Sequence, residues 1–321
     1  MPAQRLMLLD TASLYFRAFY GVPDSVTAPD GTPVNAVRGL MDFISRLVGE
    51  YEPTHLACCW DNDWRPQWRV DLLPSYKAHR VVEEVETDPD VEEIPDPLAA
   101  QVPVILDVLE AWGIAVVGAD GYEADDVIGT LATAYADPAG AGMPVDVVTG
   151  DRDLFQLVTP ADTDPPIRVL YVARGVSKHD RVDEAWLQAK YDVTGAQYAD
   201  FALMRGDASD GLPGVAGVGE KTAATLLERF GDLDGIRAAA EDPNANMAPG
   251  VRRKVKDAAD YLDVAPRVVA VARAIDLGDP DLTLPTAGPA DADRAAELAE
   301  RWGLGSAADR LTEVLGGPAA G

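Results

Sequence analysis

The chain has 321 residues, 47% of them hydrophobic, enough for one large domain or two smaller ones with real cores. Its 27 Lys and Arg stand against 54 Asp and Glu, a net charge of −27 that excludes a uniformly basic face of the kind phosphate binding normally wants. No apolar run approaches the roughly 20 residues of a membrane span and no signal-peptide pattern precedes the first apolar run, so a cytoplasmic protein with no membrane partner is expected.

In chain order, short aliphatic or β-branched runs read as buried strands of a parallel sheet: "RLMLLD" (5–10), "HLACCWD" (55–61), "GIAVVGAD" (113–120), "VDVVTGD" (145–151) and "IRVLYV" (167–172). Helical patterns fall between them at 36–51, 97–113 and 123–137. Such alternation predicts an α/β fold, a mostly parallel sheet with flanking helices and right-handed crossovers. Cys58 and Cys59 are adjacent inside an apolar run, which suits two small buried hydrophobes better than a disulfide or a zinc site. After about residue 180 the strands stop and the pattern turns helical. The expected division is an α/β core over 1–180 with an insertion at about 77–100, a helical domain over 181–285, and terminal helices over 286–321 that pack back on the core.

Charge is segregated along this plan. From Val81 to Asp151 there is no Lys or Arg but 17 acids, whereas Arg65, Arg69, Lys77 and Arg80 form one basic run and Arg252, Arg253, Lys254 and Lys256 another. Four of the five strands end in Asp: Asp10, Asp61, Asp120 and Asp151. Ligands of open α/β sheets sit in the crevice at the carboxyl ends of the strands. Asp10, Asp61 and Asp151 should meet there, joined by Glu123, Asp125 and Asp126 from the first turn of the next helix and by Asp153. Asp120 is expected to be a turn residue.

Each acid also has a plainer reading as a turn former or helix N-cap. Acids in a first helical turn gain only ~0.3–1 kcal/mol from the macrodipole, too little to offset about seven carboxylates in one crevice. Divalent cations offset it directly, and oxygen ligands without His or Cys point to Mg²⁺ or Mn²⁺, two ions being a common device for phosphodiester cleavage. An aspartyl-phosphate mechanism would want an acid where Ala12 stands. A serine hydrolase would want a nucleophile elbow and a better placed base than His55, His79 or His179.

The helical part contains "GDASDGLPGVAGVGEKTAATLLERFG" (206–231). Glu220 separates Gly219 from Lys221, so the P-loop pattern fails, and no strand precedes it, so the dinucleotide fingerprint fails too. What remains is helix, hairpin (206–222), helix. Gly217 and Gly219 allow close backbone approach, the helix start can hold a phosphate, and Lys221 adds charge. That device grips a DNA backbone without reading sequence. Asp207 and Asp210 precede the hairpin within reach of the crevice.

Taken in order, "LLDTASLYFRAFYG", "GTPVNAVRGL", "CCWD", "YKAHR", "GYEADDVIGTLA", "VVTGDRDLFQLV" and the hairpin segment resemble the 5′-nuclease (flap endonuclease) family, most of all the 5′-nuclease domain of bacterial DNA polymerase I. The resemblance covers nearly the whole chain and implies a free-standing nuclease with a PIN-like core and a helix-hairpin-helix (helix-three-turn-helix) domain. It implies a first metal site of Asp10, Asp61, Glu123 and Asp125, and a second of Asp126, Asp151, Asp153, Asp207 and Asp210, with Asp125 able to bridge. Lys77 and Arg80 match a basic pair at the base of a helical arch, and Arg17 an arginine that follows the first motif. Gly217, Gly219, Lys221 and Thr222 would hold DNA, and the backbone of Gly214, Val215 and Val218 a K⁺ ion.

One departure stands out. Val81 to Pro97 carries eight acids, three prolines and no base, where the family's arch is usually basic. A solvated loop and an arch that repels duplex both remain open. The expected activity is metal-dependent hydrolysis at 5′ flaps and 5′ ends of duplex DNA with a single-stranded branch, RNA primers included, by a monomer acting in replication and repair. The alternative, a DNA-binding structural protein with attenuated catalysis, would explain the hairpin but not a complete acid set.

Overall fold

The computed structural model describes residues 4–83, 91–92 and 94–316. Strand β1 (Leu6–Asp10) runs directly into α1 (Thr11–Gly21), because Asp10 caps that helix by accepting from Ser13 N at 3.1 Å. Helix α2 (Asn35–Tyr51) buries Val37, Leu40, Met41, Ile44, Leu47, Val48 and Tyr51, the spacing of a single apolar stripe. It lies close on α1, since a Cβ at Gly39 would come 2.7 Å from that of Ala18. Then come β2 (His55–Trp60) and the short α3 (Gln67–Leu72). A single turn, Ala78–Arg80, leads into the antiparallel pair β3 (Val81–Glu83) and β4 (Val91–Glu92).

The helix expected over 97–113 is divided into α4 (Asp96–Ala99) and α5 (Val102–Trp112). Gln101 lies between them, buried, and spends its amide on Ala36 N, Asn35 Oδ1 and Pro97 O. After β5 (Ala115–Gly118), helix α6 (Ala124–Ala136) leads to β6 (Val145–Thr149), β7 (Ile167–Tyr171) and β8 (Asp180–Val182). The sheet order is β5-β2-β1-β6-β7-β8, parallel except for β8, which runs antiparallel to β7. That last three-residue edge strand is too short to read from sequence, and it places the end of the strands just past 180.

Alternation along the strands divides two cores. Leu6, Leu8, Ala57, Cys59, Val145 and Val147 face one side; Met7, Leu9, Leu56, Cys58 and Val148 face the other. Both cysteines are free and fully buried. The first side packs on α6 and continues without a break into α7 (Glu184–Tyr191), α8 (Tyr198–Arg205), α9 (Glu220–Phe230), α10 (Leu233–Glu241), α11 (Pro249–Asp257) and α12 (Ala259–Val269). The second side packs on α1, α2 and α5, and on the C-terminal α13 (Ala292–Arg301) and α14 (Ser306–Val314). There Trp112 Nε1 donates to Thr312 Oγ1 at 3.1 Å and Arg310 pairs with Asp42 at 2.6 Å. No helix among the described residues is long and apolar enough to cross a membrane.

Of the acidic stretch from Val81 to Pro97, residues 84–90 and 93, with five of its eight acids, lie outside the described residues. The choice between a solvated loop and a repelling arch falls there.

Candidate active site

At the carboxyl ends of β1, β2 and β6 a cleft of about 470 Å³ opens, lined by Asp10, Asp61, Glu123, Asp125, Asp151 and Asp207 together with Lys77 and Arg80. The sheet places the first three strand-end acids and α6 delivers two more. Behind Asp125, a much smaller space is lined by Glu123, Asp153 and Asp210. Eight of the nine acids predicted from sequence therefore gather at one mouth or directly behind it.

Their surroundings differ. Asp10 Oδ2 accepts from Thr149 Oγ1 at 2.6 Å, Asp61 Oδ1 from Ala124 N at 2.8 Å, and Asp151 Oδ1 from Asp153 N at 3.0 Å. Glu123 is held by Tyr76 OH at 2.7 Å, Arg69 at 3.1 Å and the Lys77 ammonium. Asp125 has no hydrogen-bond partner among the described residues. The Oδ1 of Asp153 is buried and equally unpartnered.

Burial, and then the nearby Asp61 and Asp151, push the Asp10 carboxyl up to about 7 despite its hydrogen bonds. Burial first, and Asp10, Asp151 and Glu123 after it, push Asp125 well above the ordinary range. Asp153 is raised likewise by burial and by Asp151, Asp210 and Asp207, and Asp210 reaches about 6, mainly through burial. Lys77 lies in a left-handed backbone conformation at φ 48°; burial opposes its charge, but Glu123, Tyr76 and Asp210 together outweigh that and push it well above the ordinary lysine range. This is a crevice with more negative charge than its own cations balance.

Among the described residues no three acidic, His or Cys side chains are placed to hold a metal ion as they stand. Asp10, Asp61 and Glu123 are turned toward the protein donors just named. Their chemistry nonetheless fits a hard cation: every donor is oxygen, Asp125 and Asp153 offer unpartnered oxygens, and burial disfavours the bare charges.

Asp126 must be corrected. Sequence reasoning set it beside Asp125 as a metal ligand, yet it is fully buried and faces away from the cleft. Both its oxygens are taken by Arg69, at 2.7 and 2.8 Å, and it also accepts from Ala272 N at 2.8 Å. Consecutive helical residues point about 100° apart, so two neighbours cannot serve one cleft equally. Arg69, buried, stacked 4.4 Å over Trp68 and bonded to Val268 O, is the residue that sequence reasoning undervalued. In the sequence it is one member of a basic run, and only its setting between aromatic and apolar residues in "QWRV" hints at burial.

Arg17 lines the neighbouring groove, which shares Ser13 and Phe16 with the cleft, and donates to Ala173 O at 3.1 Å. Arg80 reaches Ser209 O at 2.8 Å and Asp210 at 3.3 Å, tying the turn after Lys77 to the segment before the hairpin. Within the hairpin, Val215 N bonds Met204 O and Val218 N bonds Val215 O. Gly217 has φ +72° and its carbonyl accepts from Lys254 Nζ at 2.7 Å. Gly219 has φ −101°, so no left-handed backbone demands glycine there; a Cβ would meet open space. Lys221 and Thr222 stand in the first turn of α9, beside the open face of its amino end.

A mostly parallel α/β sheet with an acid-lined mouth and a helical hairpin domain defines the class. The family model for the 5′-3′ exonuclease N-terminal resolvase-like domain matches residues 5–192, and that for the 5′-3′ exonuclease C-terminal SAM fold matches 193–290. The chain belongs to the 5′-3′ exonuclease family. It is 60% identical over 309 residues to a 5′-3′ exonuclease of Streptomyces coelicolor, covering 96% of this chain and 99% of that one. It is 40% identical over 258 residues to DNA polymerase I of Mycobacterium bovis, covering 78% of this chain but 26% of that protein. Its fold matches a bacteriophage T5 flap endonuclease complex with DNA and metal ions, with a TM-score of 0.64 at 15% identity over 97% of this chain and 99% of that one.

Proposed function

We propose that this 5′-3′ exonuclease is a structure-specific nuclease that hydrolyses DNA phosphodiester bonds at 5′ flaps and 5′ ends with bound divalent ions, Mg²⁺ or Mn²⁺. The observation that carries this reading is the excess of buried carboxylate in a cleft continuous with the hairpin. Arg152, Asp207 and Ser209 line both the cleft and the hollow beside Gly219 and Glu220. A duplex held at the hairpin would thus have its backbone led to the acids.

Asp10, Asp61, Glu123 and Asp125 would hold one ion, and Asp151, Asp153, Asp207 and Asp210, with Asp125 between, a second. Such ions, when bound, supply charge stabilisation for the transferring phosphate and activate water. The protein's own part is positional. Lys77 and Arg80 stand at the rim, where their cations can meet charge developing on the scissile phosphate. Arg69 and Tyr76 fix Glu123, and Thr149 fixes Asp10. Phosphates of the duplex would lie at Gly217, Gly219, Lys221 and Thr222. The carbonyls of Gly214, Val215 and Val218 are the proposed seat of a K⁺ ion. RNA primers on DNA belong to the proposed substrates as well. We assign the protein to replication and repair, acting as a monomer.

The test is cleavage of a labelled 5′-flap duplex beside a blunt duplex in Mg²⁺, Mn²⁺ and chelator. Cleavage near the branch with either ion and none in chelator is expected. Cleavage that persists in chelator would overturn the metal-dependent reading, and indifference to the flap would overturn structure specificity.

A further inference from the structure

Between the cleft and the hairpin lies a hollow of about 500 Å³ lined by Arg152, Arg205, Asp207, Ser209, Gly219 and Glu220. Arg205, the last residue of α8, has a side chain only 7% exposed. Its guanidinium lies 5.3 Å over the Phe201 ring and between two acids, 3.3 Å from Asp207 and 3.0 Å from Glu220. Its Nε is buried with no partner. Arg152 approaches the same Asp207 oxygen at 3.7 Å. Across the hollow, α9 begins at Glu220 after Gly219, which offers no side-chain cap, and the N–H groups of Glu220 and Lys221 have no acceptor among the described residues.

Free N–H groups at the start of an 11-residue helix favour an anion, but Glu220 in that first turn would repel one unless a cation neutralised it. Arg205 is that cation, and its unused Nε leaves a donor of its planar fork available for a phosphate. The same guanidinium also holds Asp207, an acid of the cleft. One cation therefore serves two sites.

We propose that Arg205 is a positioning residue shared between two anions: it neutralises Asp207 while DNA is absent, and turns to a DNA backbone phosphate at the amino end of α9 when substrate arrives, leaving Asp207 to the cleft. This rests on the reading of the cleft as a divalent-ion nuclease site. It makes phosphate binding at the hairpin and completion of the acid set a single coupled event, and the coupling must be reciprocal.

Two variants move the readouts in opposite directions. Arg205→Met keeps the length and the packing on Phe201 but frees Asp207. In calorimetric titration with Mn²⁺ and no DNA, it should bind the ion at least ~3-fold more tightly. In chelator its affinity for a 5′-flap duplex, read by fluorescence anisotropy, should fall, with a salt slope shallower by about one phosphate contact. Glu220→Gln, on a side chain 57% exposed, leaves Arg205 to Asp207 alone, so Mn²⁺ should bind more weakly and DNA more tightly. Unchanged Mn²⁺ affinity and salt slope in Arg205→Met, or Mn²⁺ shifts of the same sign in both variants, would overturn the proposal. Should Arg205→Met fail to fold by circular dichroism, Glu220→Gln decides, and unchanged Mn²⁺ affinity there rejects it. A wild-type protein that cleaves no flap in Mn²⁺ would sink the nuclease reading instead, while the DNA-free titrations still judge the shared arginine.

Discussion

The two ends of the central sheet treat buried acids in opposite ways. At the amino end of β6, Asp146 is 1% exposed and is flanked by Arg5 at 2.8 Å and by Arg168. At the carboxyl end, Asp10 and Asp153 are also buried and Asp125 is half-buried, yet no arginine pairs with any of them among the described residues. The contrast sharpens within one helix turn. Asp126 takes both donors of Arg69, while Asp125, its neighbour, takes none. Where an acid is structural, this chain supplies an arginine. At Asp10, Asp125 and Asp153 it withholds one, although removing a carboxylate from water without a partner is expensive. Balance there has to come from outside the chain.

Asp125→Asn should break the comparison most visibly. Removing the unpartnered charge should lower flap cleavage by ~10³-fold or more, about 4 kcal/mol of transition-state stabilisation. DNA affinity in chelator should hold or improve, because a charge that repels phosphate is gone. Normal cleavage would mean that the cleft does not use this carboxylate. Asp126→Ala is the counterpart. It leaves the buried Arg69 with Glu123 alone as an acid partner and should cost about 3 kcal/mol in denaturant unfolding, with Mn²⁺ affinity of the folded protein retained. Unaltered stability with lost Mn²⁺ binding would restore Asp126 to the metal site.

Sequence period and strand ends were enough to place Asp10, Asp61 and Asp151 at one sheet edge, because a buried parallel strand is a short apolar run and its last residue must emerge at the crevice. The helix start after β5 was equally legible. What sequence could not assign was pairing between distant segments. Arg69 meets Asp126 across 57 positions, and Thr149 meets Asp10 across 139. Only the apolar setting of "QWRV" separates Arg69, buried, from Arg80, whose side chain is 34% exposed, within the same basic run. The split between Asp125 and Asp126, by contrast, was implicit in helical geometry. Only one side of α6 faces the mouth, and of the two neighbours it is Asp125 that stands there.

The smallest expected effect isolates the unbalanced charge by pH. An unfolded Asp10 titrates near 3.8, the folded metal-free one near 7. Between those values the folded state binds a proton that the unfolded chain does not, so this carboxyl's contribution to stability is fully present below about 4 and is lost as pH rises toward 7. Other ionisable groups titrate across the same range, so the wild-type curve alone mixes their contributions with that of Asp10. Asp10→Asn separates them, since the amide oxygen can still cap α1 and the amide nitrogen can donate to Thr149 Oγ1, but the group cannot ionise. In chelator, the melting temperature of the variant should overtake that of the wild type progressively from pH 4 to pH 7, by roughly 2–4 °C for each 1 kcal/mol of difference. Saturating Mg²⁺ at pH 8 should reverse the order, because only the carboxylate gains an ion. A difference that stays flat across pH 4–8, with and without Mg²⁺, would show that Asp10 is compensated within the protein after all, and that the two ends of the sheet are alike.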